Sequence, residues 1–307
     1  MFRNLDKLVA LTAALIFSCS DCMSMSRPID SVSISGGNQR ITILVDAFGS
    51  QSRLRQDWGY AALVEYGGKR ILFDTGNDSA GFEKNVRHIG VDLTRLDGVV
   101  ISHRHGDHTA GLRYLLSVNP TVKIYVPDDE AFGGATPATF FSQPEPSLPI
   151  KMRYFNGAVP EAIPHGSAWA DATFVRVSDT LEIAPGFRLV RNISSTQDFS
   201  ETPELSLAID TPKGQVIVVG CSHPGIEKIV TSVVSRDQDI FMVVGGLHLV
   251  TTPRAEIERL AVSLRDKWKI ERIAPGHCTG ELAFYILQRI FGRNYQYAGV
   301  GTIIDLP

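Results

Sequence analysis

Apolar residues along this chain change their period several times, and each change marks an element. The run Ile41-Thr-Ile-Leu-Val45 is strand-like. Ala61-Ala-Leu-Val-Glu-Tyr66, then Gly67-Gly68, then Arg70-Ile-Leu-Phe73 predicts a hairpin, ended by Asp74-Thr75-Gly76. Residues 79–89 have helical spacing, Val99 to Ser102 reads as a short buried strand, and Val122-Lys-Ile-Tyr-Val126 reads as another. Strands and helices alternate, which is the pattern of an α/β fold.

Three later segments share one design: an apolar strand, small residues, a histidine, then a helix. Val216-Ile-Val-Val219 leads to Gly220-Cys-Ser-His223, Phe241-Met-Val-Val244 to Gly245-Gly-Leu-His248, and Arg272-Ile-Ala274 to Pro275-Gly-His-Cys-Thr279. The histidines stand 25 and 29 residues apart, one strand-helix unit each, so they should line one edge of the sheet, where open α/β sheets bind ligands. In the helix before the third unit, Thr252 is expected as the cap and Pro253 in the first turn, with Ile257, Leu260, Ala261, Leu264 and Trp268 as the buried stripe. Between about Glu130 and Ala168 the period is lost among Gly, Pro, Ser and Phe. A stretch this long inside a domain reads as a lid over a site or as a surface excursion.

Composition narrows the class. Of 307 residues, 44% are hydrophobic and 21% charged, a globular profile. Net charge is −3 and no block of five basic residues occurs, so the footprint of a nucleic-acid binder is missing. Residues 1–23 carry a short basic start and an apolar run from Leu8 to Ser18, which resembles a secretory signal. That run is too short for a permanent span, which needs roughly twenty residues. Ile16-Phe17-Ser18-Cys19 loosely resembles a lipobox, leaving three readings open: a lipid anchor at Cys19, ordinary cleavage, or an uncleaved or misassigned start; the first two imply an exported, periplasmic or secreted protein, which is the expectation. Residues 24–39 suit a linker and 40–307 the folded domain. Of the four cysteines, Cys19 and Cys22 lie in or beside the leader. Cys221 and Cys278 sit in the body, where they could pair in an oxidising compartment.

The densest chemistry is His103-Arg-His-Gly-Asp-His108, which follows the apolar run Val99-Val100-Ile101. His103, His105, Asp107 and His108 are more imidazole and carboxylate groups than one tetrahedral ion with an open position needs, so a centre for two divalent ions is expected, Zn²⁺ first, with Mn²⁺ or Fe open. Two ions can activate a water and clamp the attacked and leaving oxygens. Asp107 can accept a proton, and His248 can protonate a leaving group if it faces the cavity. Predicted helix starts at Ser222–Gly225 and Thr279–Glu281 favour an anionic small-molecule substrate.

Asp74-Thr75-Gly76, the His103–His108 motif, Gly220-Cys-Ser-His-Pro-Gly225, Gly245-Gly-Leu-His248, Ala274-Pro-Gly-His-Cys-Thr-Gly280 and the terminal Val300-Gly301 together resemble the metallo-β-lactamase superfamily. They look most like the branch that includes the 7,8-dihydropterin-6-methyl-4-(ribofuranosyl)aminobenzene phosphate synthases. The resemblance spans about Ile41 to Ile304 and implies an αββα sandwich with a two-metal centre at the edge of its sheets. It assigns His103 and His105 to one ion, and Asp107, His108 and His277 to the other. Where most members carry a Gly-Asp, this chain has Gly220-Cys221, with His223 two residues on. His223 is expected to complete the first site, Cys221 is a candidate bridging thiolate, and Glu204 is a weaker candidate ligand. Asp74 is expected to orient a ligand histidine, and His88 and His165 to be surface or structural residues. Three readings follow: a metal-dependent hydrolase of an ester, lactone or phosphorylated small molecule; a pterin-condensing enzyme; or a metal-loaded binding or sensor protein without turnover.

Overall fold

The computed structural model describes residues 37–307, except 134, 138–145, 148, 159–161, 165–168, 170, 195–200 and 235–237. The expected leader, its Cys19 and most of the linker lie outside the described residues, as does His165. The strands in chain order are β1 (Arg40–Val45), β2 (Ala61–Tyr66), β3 (Lys69–Phe73), β4 (Gly98–Val100), β5 (Lys123–Pro127), β6 (Ala135–Pro137), β7 (Ala162–Pro164), β8 (Thr173–Val177), β9 (Leu181–Ala184), β10 (Phe187–Ser194), β11 (Thr202–Thr211), β12 (Gly214–Val219), β13 (Ile240–Gly246), β14 (Arg272–Gly276) and β15 (Ile303–Asp305). The helices are α1 (Ser79–Ile89), α2 (Gly106–Thr109), α3 (Leu112–Val118), α4 (Ile226–Val233), α5 (Arg254–Asp266) and α6 (Glu281–Phe291). No helix of the described residues is long and apolar enough to cross a membrane.

Two mixed sheets carry the fold. One has the order β15-β1-β2-β3-β4-β5-β8, the other β14-β13-β12-β11-β10-β9. Alternation along each strand sends every second side chain to the opposite face, so Val216 and Val218 meet Phe73, Val64 and Leu207 in the layer between the sheets. Ile217 and Val219 point the other way, under Ile229, Ile257, Ala261 and Leu287 of α4, α5 and α6. The first sheet is covered likewise, Leu63, Leu72 and Val99 lying beneath Phe82, Val86 and Leu115 of α1 and α3. The result is an αββα sandwich with one apolar layer inside and one under each layer of helices. Leu207, fully buried between the sheets, is expected to cost about 2–5 kcal/mol on replacement by Ala, read as a lower denaturant midpoint at unchanged slope.

Most expected elements stand within a residue or two of their predicted bounds, and three expectations need correction. Thr252 does not cap α5: the helix opens after Pro253 with no side-chain cap, and Trp268 lies beyond its end, where the indole donates to Glu227 (2.9 Å). The region expected to be irregular, 130–168, holds a small antiparallel pair, β6 with β7, and short 3₁₀ turns at Ile150–Met152 and Tyr154–Gly157. The sequence reading also left β8 to β11 unassigned, although β10 and β11 form an eight-pair antiparallel ladder at the centre of the second sheet's outer half.

Candidate metal centre

The strands β3, β4, β12, β13 and β14 all deliver chemistry at their C-terminal ends. The backbone there is bent in a specific way. Among the described residues, Asp74 (φ 58°), Ser222 (63°), His248 (54°) and His277 (46°) all hold left-handed conformations that cost non-glycine residues energy. Four such residues around one point indicate that the surrounding structure forces them, since each would relax on its own.

Asp74 organises the first sheet's side of the centre. Its Oδ1 accepts the Ser102 N–H (2.7 Å), and its Oδ2 accepts both the Ser102 hydroxyl (2.8 Å) and His108 Nδ1–H (2.7 Å). With its proton committed to Asp74, the Ser102 oxygen accepts from His103 Nδ1 (2.8 Å). One carboxylate thus anchors Nδ1 of both imidazoles, and Nε2 is the nitrogen that His103 turns to His105 (3.0 Å) and His108 turns to Cys221 (3.2 Å). The expected role of Asp74 as an orienting residue agrees with this geometry. Gly220 permits it, because a Cβ there would collide with the Ser102 hydroxyl and stand 3.0 Å from Asp74 Oδ2. Thr75 donates twice to the His108 carbonyl, and Arg104 reaches Asp129 (2.8 Å) and Thr202, fixing the motif from both sides. The Leu205 N–H also donates to the Ser102 carbonyl (2.8 Å), a bond from the second sheet to the first.

The second sheet supplies the rest. Glu204, fully buried, is not placed as a ligand: its carboxylate accepts the backbone N–H groups of Cys221 (3.0 Å), Ser222 (2.7 Å) and His223 (2.8 Å). Burial raises its pKa to about 7 against the pull of those three donors. It shapes the turn that presents His223. Glu204→Ala is therefore expected to leave three buried donors unsatisfied, at about 1–3 kcal/mol each, and to lower both the denaturation midpoint and metal retention. Asp46, unmarked in the sequence reading, does the same for His277, accepting its N–H (2.9 Å) with a carboxyl that burial pushes up to about 8. The only sequence signal was an acidic residue directly after the apolar strand Ile41–Val45. Trp58, also missed, leans its half-exposed ring against His277 at a tilt of 52°, centroids 5.0 Å apart.

The expected ligands converge. Ligand atoms of His103, His105 and His223 lie within 4.8 Å of one another, as do those of Asp107, His108 and His277. A third such group joins Cys221 to His103 and His108, its sulfur 3.2 Å from His108 Nε2, at the junction of the two sets. His248 turns its exposed ring to 4.3 Å from His223. Its pKa is raised by a hydrogen bond to Cys278. Cys221 and Cys278 are both buried free thiols, not a disulfide. His88 is a surface residue bonded to the Lys84 carbonyl.

Electrostatics favour cations here. Burial and neighbouring imidazoles hold His103 far below the usual range and His223 at about 3, so both present lone pairs. Burial works against charge on Asp107 too, yet His277 Nε2, 3.4 Å from its Oδ2, and the nearby His108 imidazole keep it an anion, well below the usual carboxylate range. At His108 burial is outweighed by Asp74, which raises the group to about 9; an ion at Nε2 would take the place of that proton. His223 Nε2 and both ring nitrogens of His277 are buried without a hydrogen-bond partner among the described residues. Buried polar atoms are seldom left this way. The donor set and its unpaired nitrogens fit divalent metal ions.

Comparison with known proteins agrees. Residues 54–277 match the model of the metallo-β-lactamase superfamily. The chain is 27% identical, over 86% of its length and 95% of the relative's, to a 7,8-dihydropterin-6-methyl-4-(β-D-ribofuranosyl)-aminobenzene-5'-phosphate synthase of Methanocaldococcus jannaschii. It is 28% identical to an uncharacterized protein of the same archaeon, over 87% of this chain and all of that one. Among solved structures, one described as a metal-dependent hydrolase of the β-lactamase superfamily is 26% identical and superposes with a TM-score of 0.66 over 87% of this chain and 98% of its own. The chain belongs to the metallo-β-lactamase superfamily.

Proposed function

We propose that this protein is a two-metal hydrolase acting on an ester, a lactone or a phosphorylated small molecule. The observation that carries the reading is the pair of three-ligand sets, built from both sheets and ending in unpaired ring nitrogens. His103, His105 and His223 would hold one ion, and Asp107, His108 and His277 the other, a donor set suited to Zn²⁺ and compatible with Mn²⁺ or Fe. Bound there, the ions would supply an activated water and polarise the bond under attack. Asp107, kept anionic, would accept a proton in the reaction. Asp74 holds His103 and His108 in the tautomers that ligation requires. The starts of α4 and α6 follow His223 and His277 by only a few residues, which supports an anionic group on the substrate.

The leader-like residues 1–23 support export of this activity from the cytoplasm, and N-terminal sequencing of protein recovered from the cell exterior checks that. For the reaction itself, metal content is measured on protein purified without added metal, followed by turnover of model esters, lactones and phosphodiesters with and without a chelator. Chelator-sensitive cleavage supports the hydrolase. Absence of any hydrolysis, together with condensation of a pterin precursor, would transfer the assignment to the activity for which the archaeal synthase is named.

A further inference from the structure

The centre described above leaves Cys278 without a task, and its position is unusual. Cys221 follows β12 and Cys278 follows β14, and these strands do not pair, because β13 runs between them. Two strands apart, side chains stand roughly 9–10 Å from each other. The two sulfurs nevertheless lie within 4.8 Å of each other, with Cys278 Sγ also 3.7 Å from the Cys221 carbonyl oxygen. They can meet because β13 ends in Gly245-Gly246: a Cβ on Gly246 would stand 2.9 Å from Cys278 Sγ, closer than such contacts occur. The missing side chain opens the space that the sulfur crosses.

His248 completes the arrangement. Two residues beyond β13, it takes a left-handed backbone (φ 54°) that turns its ring toward the thiols instead of along the strand. That turn is tied to the Cys278 segment on both sides, by Leu247 N–H to Thr279 Oγ1 (3.0 Å) and Leu249 N–H to the Cys278 carbonyl (3.0 Å). The ligand atoms of Cys221, His248 and Cys278 lie within 4.8 Å of one another. Two sulfurs and one imidazole make a soft donor set, unlike the nitrogen and oxygen donors of the neighbouring pair.

We propose that Cys221, His248 and Cys278 form a third metal site, one that takes a single thiophilic cation such as Zn²⁺, Cd²⁺ or Cu⁺. Binding a divalent ion releases the two thiol protons, and the two thiolates cancel its charge. Cys221, beside His108 on its other side, joins this site to the pair. His248 then serves as a ligand, in place of the proton-donor role expected from the sequence. The site stands whether or not the neighbouring pair is hydrolytic.

Cd²⁺ is the probe, because thiolate ligation gives an ultraviolet charge-transfer band that nitrogen and oxygen ligands do not. The full chain, loaded with Cd²⁺ and freed of excess, should hold three equivalents and show that band. Cys278→Ser should bring the count from three to two and cut the band by about half, and His248→Ala should also bring it to two. Independently of any variant, Cys221 and Cys278 should resist alkylation in the loaded wild-type protein, peptide by peptide in mass spectra, and become reactive when a chelator is added. Two equivalents with no thiolate band in the wild type would overturn the proposal. So would three equivalents retained by Cys278→Ser, or a Cys221–Cys278 disulfide in protein isolated from its native compartment.

Discussion

Replacing Asp107 by Ala, or His103 by Ala, should remove metal retention and catalysis together, with activity falling on the order of a thousandfold or more. The magnitude follows from the several kcal/mol of transition-state stabilisation that a bound ion supplies, at about 1.4 kcal/mol for each factor of ten. The two substitutions separate chemistry from folding. His103 is fully buried and bonded to Ser102, so its loss also removes packing. Asp107 is partly exposed and holds up no apolar layer, so its carboxylate can be removed with the sandwich intact. Elemental analysis after dialysis, initial rates on whichever model substrate turns over, and a circular dichroism spectrum are read on the same samples. Full activity in either variant would sink the assignment.

Asp74→Asn should weaken metal binding by about 10–100-fold while leaving the fold in place. Asn occupies the left-handed region nearly as well as Asp, so the backbone at φ 58° is preserved and only the charge and one acceptor are lost. An amide donor would then face Ser102 Oγ–H or His108 Nδ1–H, and the tautomers of both His103 and His108 would lose their determinant. Asp74→Ala goes further: it strands the Ser102 N–H and His108 in a fully buried place, at about 3–5 kcal/mol. Competition with a chromogenic chelator measures the first effect and denaturant unfolding the second. Unchanged metal affinity in Asp74→Asn would show that the carboxylate does not orient the ligands.

What could be read from the sequence was whatever is local along the chain. His103 to His108 declares itself because four ligand types crowd one loop, and the Gly-His strand ends declare themselves because each follows a short apolar run. The residues that hold those ligands in place were out of reach. Asp46 acts on a backbone N–H 231 positions away, and Glu204 acts on three N–H groups of a turn that exists only once β11 and β12 are paired. Neither uses its side chain in a way that a motif records, so in the sequence Glu204 reads only as a weaker candidate ligand and Asp46 carries no mark at all. β9 went unseen because its residues are only half buried and alternate weakly. That β8 closes one sheet while β9 opens the other is a matter of tertiary pairing, invisible in either segment alone.

Each candidate ion draws ligands from both halves of the sandwich: His103 and His105 from the β4 edge with His223 beyond β12, and Asp107 and His108 with His277 beyond β14. The unfolded chain has no such convergence. Ion binding and folding are then one coupled equilibrium, and an ion at a hundredfold excess over its dissociation constant adds about 2.7 kcal/mol to the stability of the native state by mass action. The protein's persistence would rise and fall with the free-ion concentration of its compartment, so that metal scarcity acts on its lifetime as well as on its turnover.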